Sequence, residues 1–327
     1  MANFFSTRLN PDWYHGSGKK APFFEGWYYK IVTKDEKRAF AIIPGVFVHQ
    51  NSHETHAFVQ VLDGTHGKAT YHSIRVFGFK DGAFDVTIGK SHFTGKRIQL
   101  NIQDDLGTIS GELTFENQIP MPIYPLSPGI MGWYGWLPFM ECNHGIISFD
   151  HRIVGKLNIY GEEIDFTDGR GYIEKDWGTN FPSGYVWMQS NHFGTLGTSL
   201  SASVATIPNF GRKFAGFIVA FMHNGQLYRF STYNRSKVEK LQVNDQHVEW
   251  VLYTAKHELR IKANRAEGGL LKSPERTEMQ KRVEETMRSS ISVQLNALDG
   301  FRKVTLFDGV GRNAGLEVVG DLSMLLK

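Results

Sequence analysis

The chain of 327 residues is 41% hydrophobic and carries a formal net charge of +3, which suits a folded protein with a substantial core, in one large domain or two. So mild a charge, with no concentrated basic patch on a recognisable module, gives no ground for a nucleic-acid partner. A single cysteine, Cys142, excludes an intramolecular disulfide and fits a reducing, cytoplasmic compartment.

In chain order, the first ten residues lack the charged and apolar regions of a secretion signal, and no later run approaches the ~18 apolar residues of a membrane span. From Phe23 onward, short apolar runs with turn residues between them predict an all-β protein. Strands are expected over 23–32, 38–48, 55–62, 70–79, 84–93, 97–103 and 108–115, with Asp63-Gly64 and Asp81-Gly82 supplying turn chemistry. Prolines 120, 122, 125, 128 and 138 make 119–138 a long irregular crossing, which also carries Trp133 and Trp136. Strands resume over 146–149, 153–160, 163–166 and 171–177. They continue over 185–193, 199–206, 216–223, 226–233, 237–243, 247–254, 257–264, 290–298 and 304–307. Asn224-Gly225 is the clearest hairpin signal. Only 273–287 looks helical, with a Ser cap, Pro274 at the first position, and Met279, Val283 and Met287 on one face.

The stretch Gly171 to Phe193, GYIEKDWGTNFPSGYVWMQSNHF, packs charge and aromatics into residues that read as strand. Alternation puts Tyr172, Glu174 and Asp176 on one face and Ile173, Lys175 and Trp177 on the other. The two carboxylates then stand about 7 Å apart at Cα, close enough that partial burial should raise the pKa of at least one. Beyond the 178–184 turn, Tyr185, Trp187, Gln189, Asn191 and Phe193 share a face, and an aromatic and amide surface suits a ligand cavity.

The same stretch resembles the signature of the tocopherol cyclase family, a Tyr-x-Glu-Lys-Asn-Trp-Gly followed by a Phe-Pro turn and a Trp-x-Gln-x-Asn strand. Phe24-Glu25-Gly26-Trp27-Tyr28, Gly161-Glu162-Glu163-Ile164-Asp165-Phe166 and Ala314-Gly315-Leu316-Glu317-Val318-Val319-Gly320 are similar to the family's opening, middle and ending, so the likeness spans nearly the whole chain. Asp176 stands where the plant-type pattern has Asn, and Ser183-Gly184-Tyr185 replaces a more basic and aromatic turn, so the substrate need not be a tocopherol precursor. More distantly, the Tyr-x-acid-x-x-Trp-Gly core resembles that of carotenoid hydratases, with the acid aligned on Glu174. The resemblance implies two lipocalin-like antiparallel β-barrels, and strand counts place the boundary near Gly178, giving 1–178 with 119–138 as a flap and 179–327.

By the same resemblance, the function is cyclisation of a prenylated quinol or related isoprenoid, in which an alkene is protonated and the carbocation trapped. Glu174 is the proton donor, with Asp176 as its tuning partner. The alternative from the residues alone is that Glu174 and Lys175 pair at a barrel rim while Trp177 plugs the end. Glu25 is a second acid, a group orienting a substrate hydroxyl, or a carboxylate satisfied by backbone donors. Trp27, Tyr28, Trp133, Trp136, Tyr172, Trp177, Tyr185 and Trp187 could line the pocket and face a carbocation, though each could equally be core. Gln189 and Asn191 could bind a quinol hydroxyl. The expected chamber is an elongated apolar cavity reached from one barrel mouth. No cofactor is implied. His49, His53 and His56 flank a turn between strands, not the helix a zincin needs, so no metal is expected. Basic residues thicken at Lys256, Arg260, Lys262, Arg265, Lys272, Arg276, Lys281, Arg282 and Arg288; a solvated face accounts for them, and peripheral contact with anionic lipid is the alternative. Rival functions are a non-catalytic lipocalin-like carrier of a quinone or lipid, or a pericyclic cyclase of the two-barrel Diels-Alderase kind.

Overall fold

The computed structural model describes residues 4–138, 140–209, 211–275, 278–279, 281–300 and 302–326. Two compact units are present, one comprising the chain up to Phe181 together with Gly269–Val283, the other Pro182–Gly268 and the residues from Glu284 on.

The first unit is built from β1 (Phe23–Val32), β2 (Ala39–Val48), β3 (His56–Asp63), β4 (Lys68–Ile74), β5 (Phe77–Phe79), β6 (Asp85–Ile88), β7 (Ser91–Thr94), β8 (Arg97–Asp104), β9 (Gly107–Glu116), β10 (Cys142–Ile159), β11 (Glu162–Asp165) and β12 (Arg170–Gly178). They hydrogen-bond in the order β4-β3-β2-β1-β12-β10-β9-β8-β7-β6-β5, with β11 beside β10. Val59 and Val61, near one end of that order, share a core with Val86 and Ile88, near the other, together with Trp27, Tyr29, Phe40, Phe93, Phe166 and Ile173. A sheet whose two ends bury side chains in one core has curled on itself, as a barrel does. The second sheet follows suit with β13 (Gly184–Ser190), β14 (Ser199–Asn209), β15 (Arg212–His223), β16 (Gln226–Ser231), β17 (Lys237–Val243), β18 (His247–Tyr253), β19 (His257–Asn264), β20 (Gly269–Ser273), β21 (Lys281–Asp299) and β22 (Arg302–Gly320), of which β20 and the first residues of β21 belong to the first unit. Their order is β16-β15-β14-β13-β22-β21-β19-β18-β17, with β20 beside β21. Phe230 of β16 and Leu241 of β17, the two ends, meet in a core with Val186, Met188, Trp250 and Ile291. The protein is all-β, with two lipocalin-like antiparallel barrels.

Differences from the expected elements have local causes. The 70–79 and 84–93 runs each split into two strands; the second breaks at Gly89, whose φ of 60° closes a tight turn. The 146–149 and 153–160 runs join into β10, which absorbs its irregularity as register shifts against β12 near Ser148. Within the crossing, Gly129–Trp136 winds into 3-10 turns. The helix expected over 273–287 is not formed where it can be seen: Lys281–Asp299 is strand, and Arg276, Thr277 and Gln280 lie outside the described residues. A spacing of four between Val283 and Met287 is even, so it satisfies the two-residue period of a strand as well as a helical turn. Among the described residues, no helix is long and apolar enough to cross a membrane.

Candidate active site

β12 lies between β1 and β10, so its side chains have neighbours on both sides. Two of its motif glycines are required by close approach. A Cβ on Gly171 would sit 2.3 Å from His151 Nε2, and one on Gly178 would sit 2.0 Å from the Glu141 carbonyl oxygen. Alternation then separates the motif into two groups on opposite faces.

Ile173, Trp27 and Tyr29 belong to the barrel core, and Glu25, Lys175 and Trp177 stand on the same inward face. Both Glu25 and Lys175 are fully buried and pair at 2.7 Å. The Lys175 ammonium also donates to Trp13 O and to His15 Nδ1, the latter at 2.8 Å, which uses its three donors. Its Nζ lies 5.1 Å from the Trp27 ring centre and 4.6 Å from that of Trp177, and the His15 ring stacks on Trp177. The His15 backbone N–H reaches both oxygens of Glu25, at 3.1 and 2.9 Å. Burial opposes charge on Glu25, but Lys175 and His15 outweigh it and hold the carboxyl below its usual range. Burial, reinforced by Lys175, lowers His15 to about 4. This is a buried ion pair completed by one backbone N–H, where backbone donors alone were the expectation; Lys175 pairs with Glu25 and not, as the rim alternative had it, with Glu174.

Glu174, Asp176 and Tyr172 occupy the other face, with Tyr28 directly across from Glu174 and the fully buried Lys30 across from Tyr172. The Tyr172 hydroxyl donates to Glu174 Oε2 at 2.5 Å. On the far side His144 of β10, paired with Asp176 in the ladder, reaches both acids: Nδ1 lies 2.9 Å from Asp176 Oδ1 and Nε2 lies 3.5 Å from Glu174 Oε2. Burial opposes a charge on His144, yet Glu174 and Asp176 together raise its pKa to about 9. The two carboxylates therefore share a counter-charge where mutual repulsion was expected. Burial, with Asp176 and Glu141 adding to it, pushes the Cys142 thiol well up, and Cys142 packs beside Phe24, Phe47 and Phe58.

Because Glu174 points away from the packed core of its barrel, the expected chamber inside a barrel mouth is not where the acid lies. The period of two decides this: the inward positions of β12 are odd-numbered. The remaining expected residues fall elsewhere. Trp136 donates to Pro125 O at 3.1 Å and packs on Phe5, while Trp133 is half exposed against Tyr134. In the second unit, Val186 and Met188 face the core, so Tyr185, Trp187 and Gln189 take the opposite face, and the Tyr185 hydroxyl donates to Glu317 at 2.6 Å. Asn191 lies just past β13, its side chain 3.1 Å from His192 Nδ1.

As to metals, ligand atoms of His144, Glu174 and Asp176 lie within 4.8 Å of one another. The imidazole turns a different nitrogen to each carboxylate and so bridges the two acids. His49, His53 and His56 bracket a short 3-10 turn at Ser52–Glu54, and His56 Nε2 is engaged by the Tyr71 hydroxyl at 2.6 Å. Of the late basic residues, Arg260 pairs with Glu258, Lys262 with Glu249, and Arg265 and Arg288 bond backbone carbonyls. Arg276 and the Lys281 and Arg282 side chains lie outside the described residues.

His144 is the member of this site that sequence reasoning missed. Nothing in Cys142-Asn143-His144-Gly145 marks it, because its importance comes from pairing with a strand more than thirty residues later.

The profile of the family described as tocopherol cyclase-like matches residues 126–320. The chain belongs to the tocopherol cyclase-like family. The "Probable tocopherol cyclase, chloroplastic" of Oryza sativa subsp. japonica is 22% identical over 277 residues, covering 66% of this chain and 57% of that protein. The tocopherol cyclase of Zea mays is 31% identical over 74 residues, covering 23% of this chain and 16% of that protein. This family member thus spans little more than half the length of the rice relative. Among solved structures, CghA with Sch210972 aligns at a TM-score of 0.57 and 11% identity, covering 91% of this chain and 89% of CghA. Kievitone hydratase from Nectria haematococca aligns at 0.51 and 12%, covering 98% and 93%. At such identities these structures establish a shared fold.

Proposed function

We propose that the protein is a cyclase that protonates an alkene of a prenylated quinol or related isoprenoid and closes an oxygen ring on the resulting carbocation. Membership of the tocopherol cyclase-like family supports the reaction class. The observation that carries the assignment of Glu174 is its largely buried position between two partners: the Tyr172 hydroxyl donates to it, and His144, itself bonded to Asp176, stands 3.5 Å away. A carboxylic acid there would give its proton to the less substituted alkene carbon, the π pair forming the new C–H bond and leaving a tertiary cation. The quinol oxygen attacks that cation and its proton leaves. The result is an isomerisation in which atoms and electrons balance without a further reactant. Tyr28, directly across from Glu174, gives this face an aromatic surface for the quinol end of the substrate.

The test is turnover of a prenylated quinol in D₂O, with the product weighed by mass spectrometry. One non-exchangeable deuterium per product is expected, and replacing Glu174 by Gln should lower turnover 10²- to 10⁴-fold, the usual worth of a general acid. A product without deuterium would point to a pericyclic closure, and binding without turnover to a carrier.

A further inference from the structure

We propose that His144, held by Asp176, is the positioning residue that keeps and returns the proton of Glu174. This inference rests on the reading of Glu174 as the acid. Its basis is geometric. The 2.9 Å contact from Nδ1 to Asp176 Oδ1 fixes the ring and turns Nε2 toward Glu174. Nε2 is buried and makes no hydrogen bond, although Glu174 Oε2 stands 3.5 Å away. A buried polar atom without a partner requires an explanation, and a catalytic contact that tightens when substrate seats supplies one. Glu174 Oε2, already accepting from Tyr172, is then held between a phenol and an imidazole.

The proton inventory closes. Glu174 rests as a carboxylate beside the charged His144. The Nε2–H bond of His144 breaks as an O–H forms on Glu174, leaving a neutral imidazole that still donates Nδ1–H to Asp176; Glu174 gives that proton to the alkene carbon and is a carboxylate again. The proton released when the quinol oxygen forms its C–O bond recharges Nε2. Charged and titratable groups around His144 are Glu174, Asp176 and Tyr172 on β12, Tyr28 and Lys30 on β1, Cys142 on β10 and Glu141 just before it, with Lys175 acting on Asp176 from the opposite face. The net effect of its two acids, a pKa near 9, keeps the imidazole charged and ready at neutral pH.

Two measurements test this, one of them independent of substrate. By NMR, the His144 Cε1–H should titrate near pH 9, and at lower pH in Asp176→Asn and in Glu174→Gln, since each removes one of its two anions. Titration in the wild type at or below the ordinary histidine value overturns the proposal. With a geranylated hydroquinone as probe, wild-type kcat should fall as pH rises through about 9. His144→Gln should lose about 100-fold or more in kcat with KM little changed and without that alkaline limb. Asp176→Asn should keep more activity but move the limb to lower pH. A His144→Gln enzyme with wild-type kcat and limb overturns the proposal and leaves Glu174 standing, provided the wild-type product carries deuterium; a wild-type product without deuterium removes the reading beneath both. Should His144→Gln not fold, the limb in Asp176→Asn decides, and an unmoved limb overturns the proposal.

Discussion

Glu25 and Glu174 are both buried carboxylates on adjacent strands, and their surroundings give them opposite properties. Glu25 meets an ammonium at 2.7 Å and two backbone contacts, so its oxygens are committed. Glu174 meets a phenol and an imidazole, both able to give or take a proton. The two residues should therefore respond differently to loss of charge. Glu25→Ala leaves Lys175 buried without its anion, and breaking a buried pair in this way costs about 3–5 kcal/mol; urea unfolding of the variant should show a midpoint lowered accordingly. Glu174→Gln keeps shape and hydrogen bonding but takes one of two anions from His144, so its unfolding midpoint should fall by less than that of Glu25→Ala while turnover collapses. If Glu174→Gln unfolds the protein as readily as Glu25→Ala, Glu174 is structural and the proton-transfer reading of its face fails.

At the scale of elements, the fold was legible wherever a strand is short and bounded by turn residues. The runs 23–32, 237–243 and 257–264 match β1, β17 and β19 residue for residue, and Asn224-Gly225 closes its hairpin with φ of 49° and 73°. The faces of β12 were equally legible, because a period of two needs no knowledge of partners. Pairing between distant strands was not: His144 joins the site through the β10–β12 ladder, and β20 joins the first unit through contacts with β3 and β4. That last attachment can be tested. The Gln60 amide donates to Lys272 O at 2.9 Å and accepts from Lys272 N at 2.8 Å, so one side chain satisfies both backbone groups of a residue in β20. Gln60→Ala would leave them unpaired at a cost of about 1–3 kcal/mol, and hydrogen exchange at the Lys272 amide should accelerate well beyond that of β1. Unchanged exchange would mean that β20 is held by its pairing with β21 alone.

For the whole molecule, three buried histidines set how stability depends on pH, and they act in opposite directions. His15 is lowered to about 4 by burial and by Lys175, and His151, buried beside Phe115 with Arg170 near, to about 3. Between those values and the ordinary 6.5, the unfolded chain binds protons that the folded chain refuses, so stability rises with pH across that window. Their contribution is complete above 6.5 and is lost as pH falls toward 4 and then 3. The sign reverses for His144, whose folded value near 9 lies above the ordinary one because two acids outweigh its burial. Its contribution is complete below 6.5 and is lost as pH rises through about 9. The urea midpoint should therefore be highest near pH 6.5 and decline on both sides. Each limb belongs to a different part of the first unit, so each can be removed separately. His15→Gln should remove the His15 share of the acid limb, leave the His151 share, and spare the alkaline limb, since a glutamine oxygen can still accept from Lys175. His144→Gln should flatten the alkaline limb and spare the acid one. Midpoints measured at pH 5, 6.5 and 9 distinguish the cases: if His144→Gln loses as much between 6.5 and 9 as the wild type does, the imidazole is not charged between its two acids, and the proton store assigned to it does not exist.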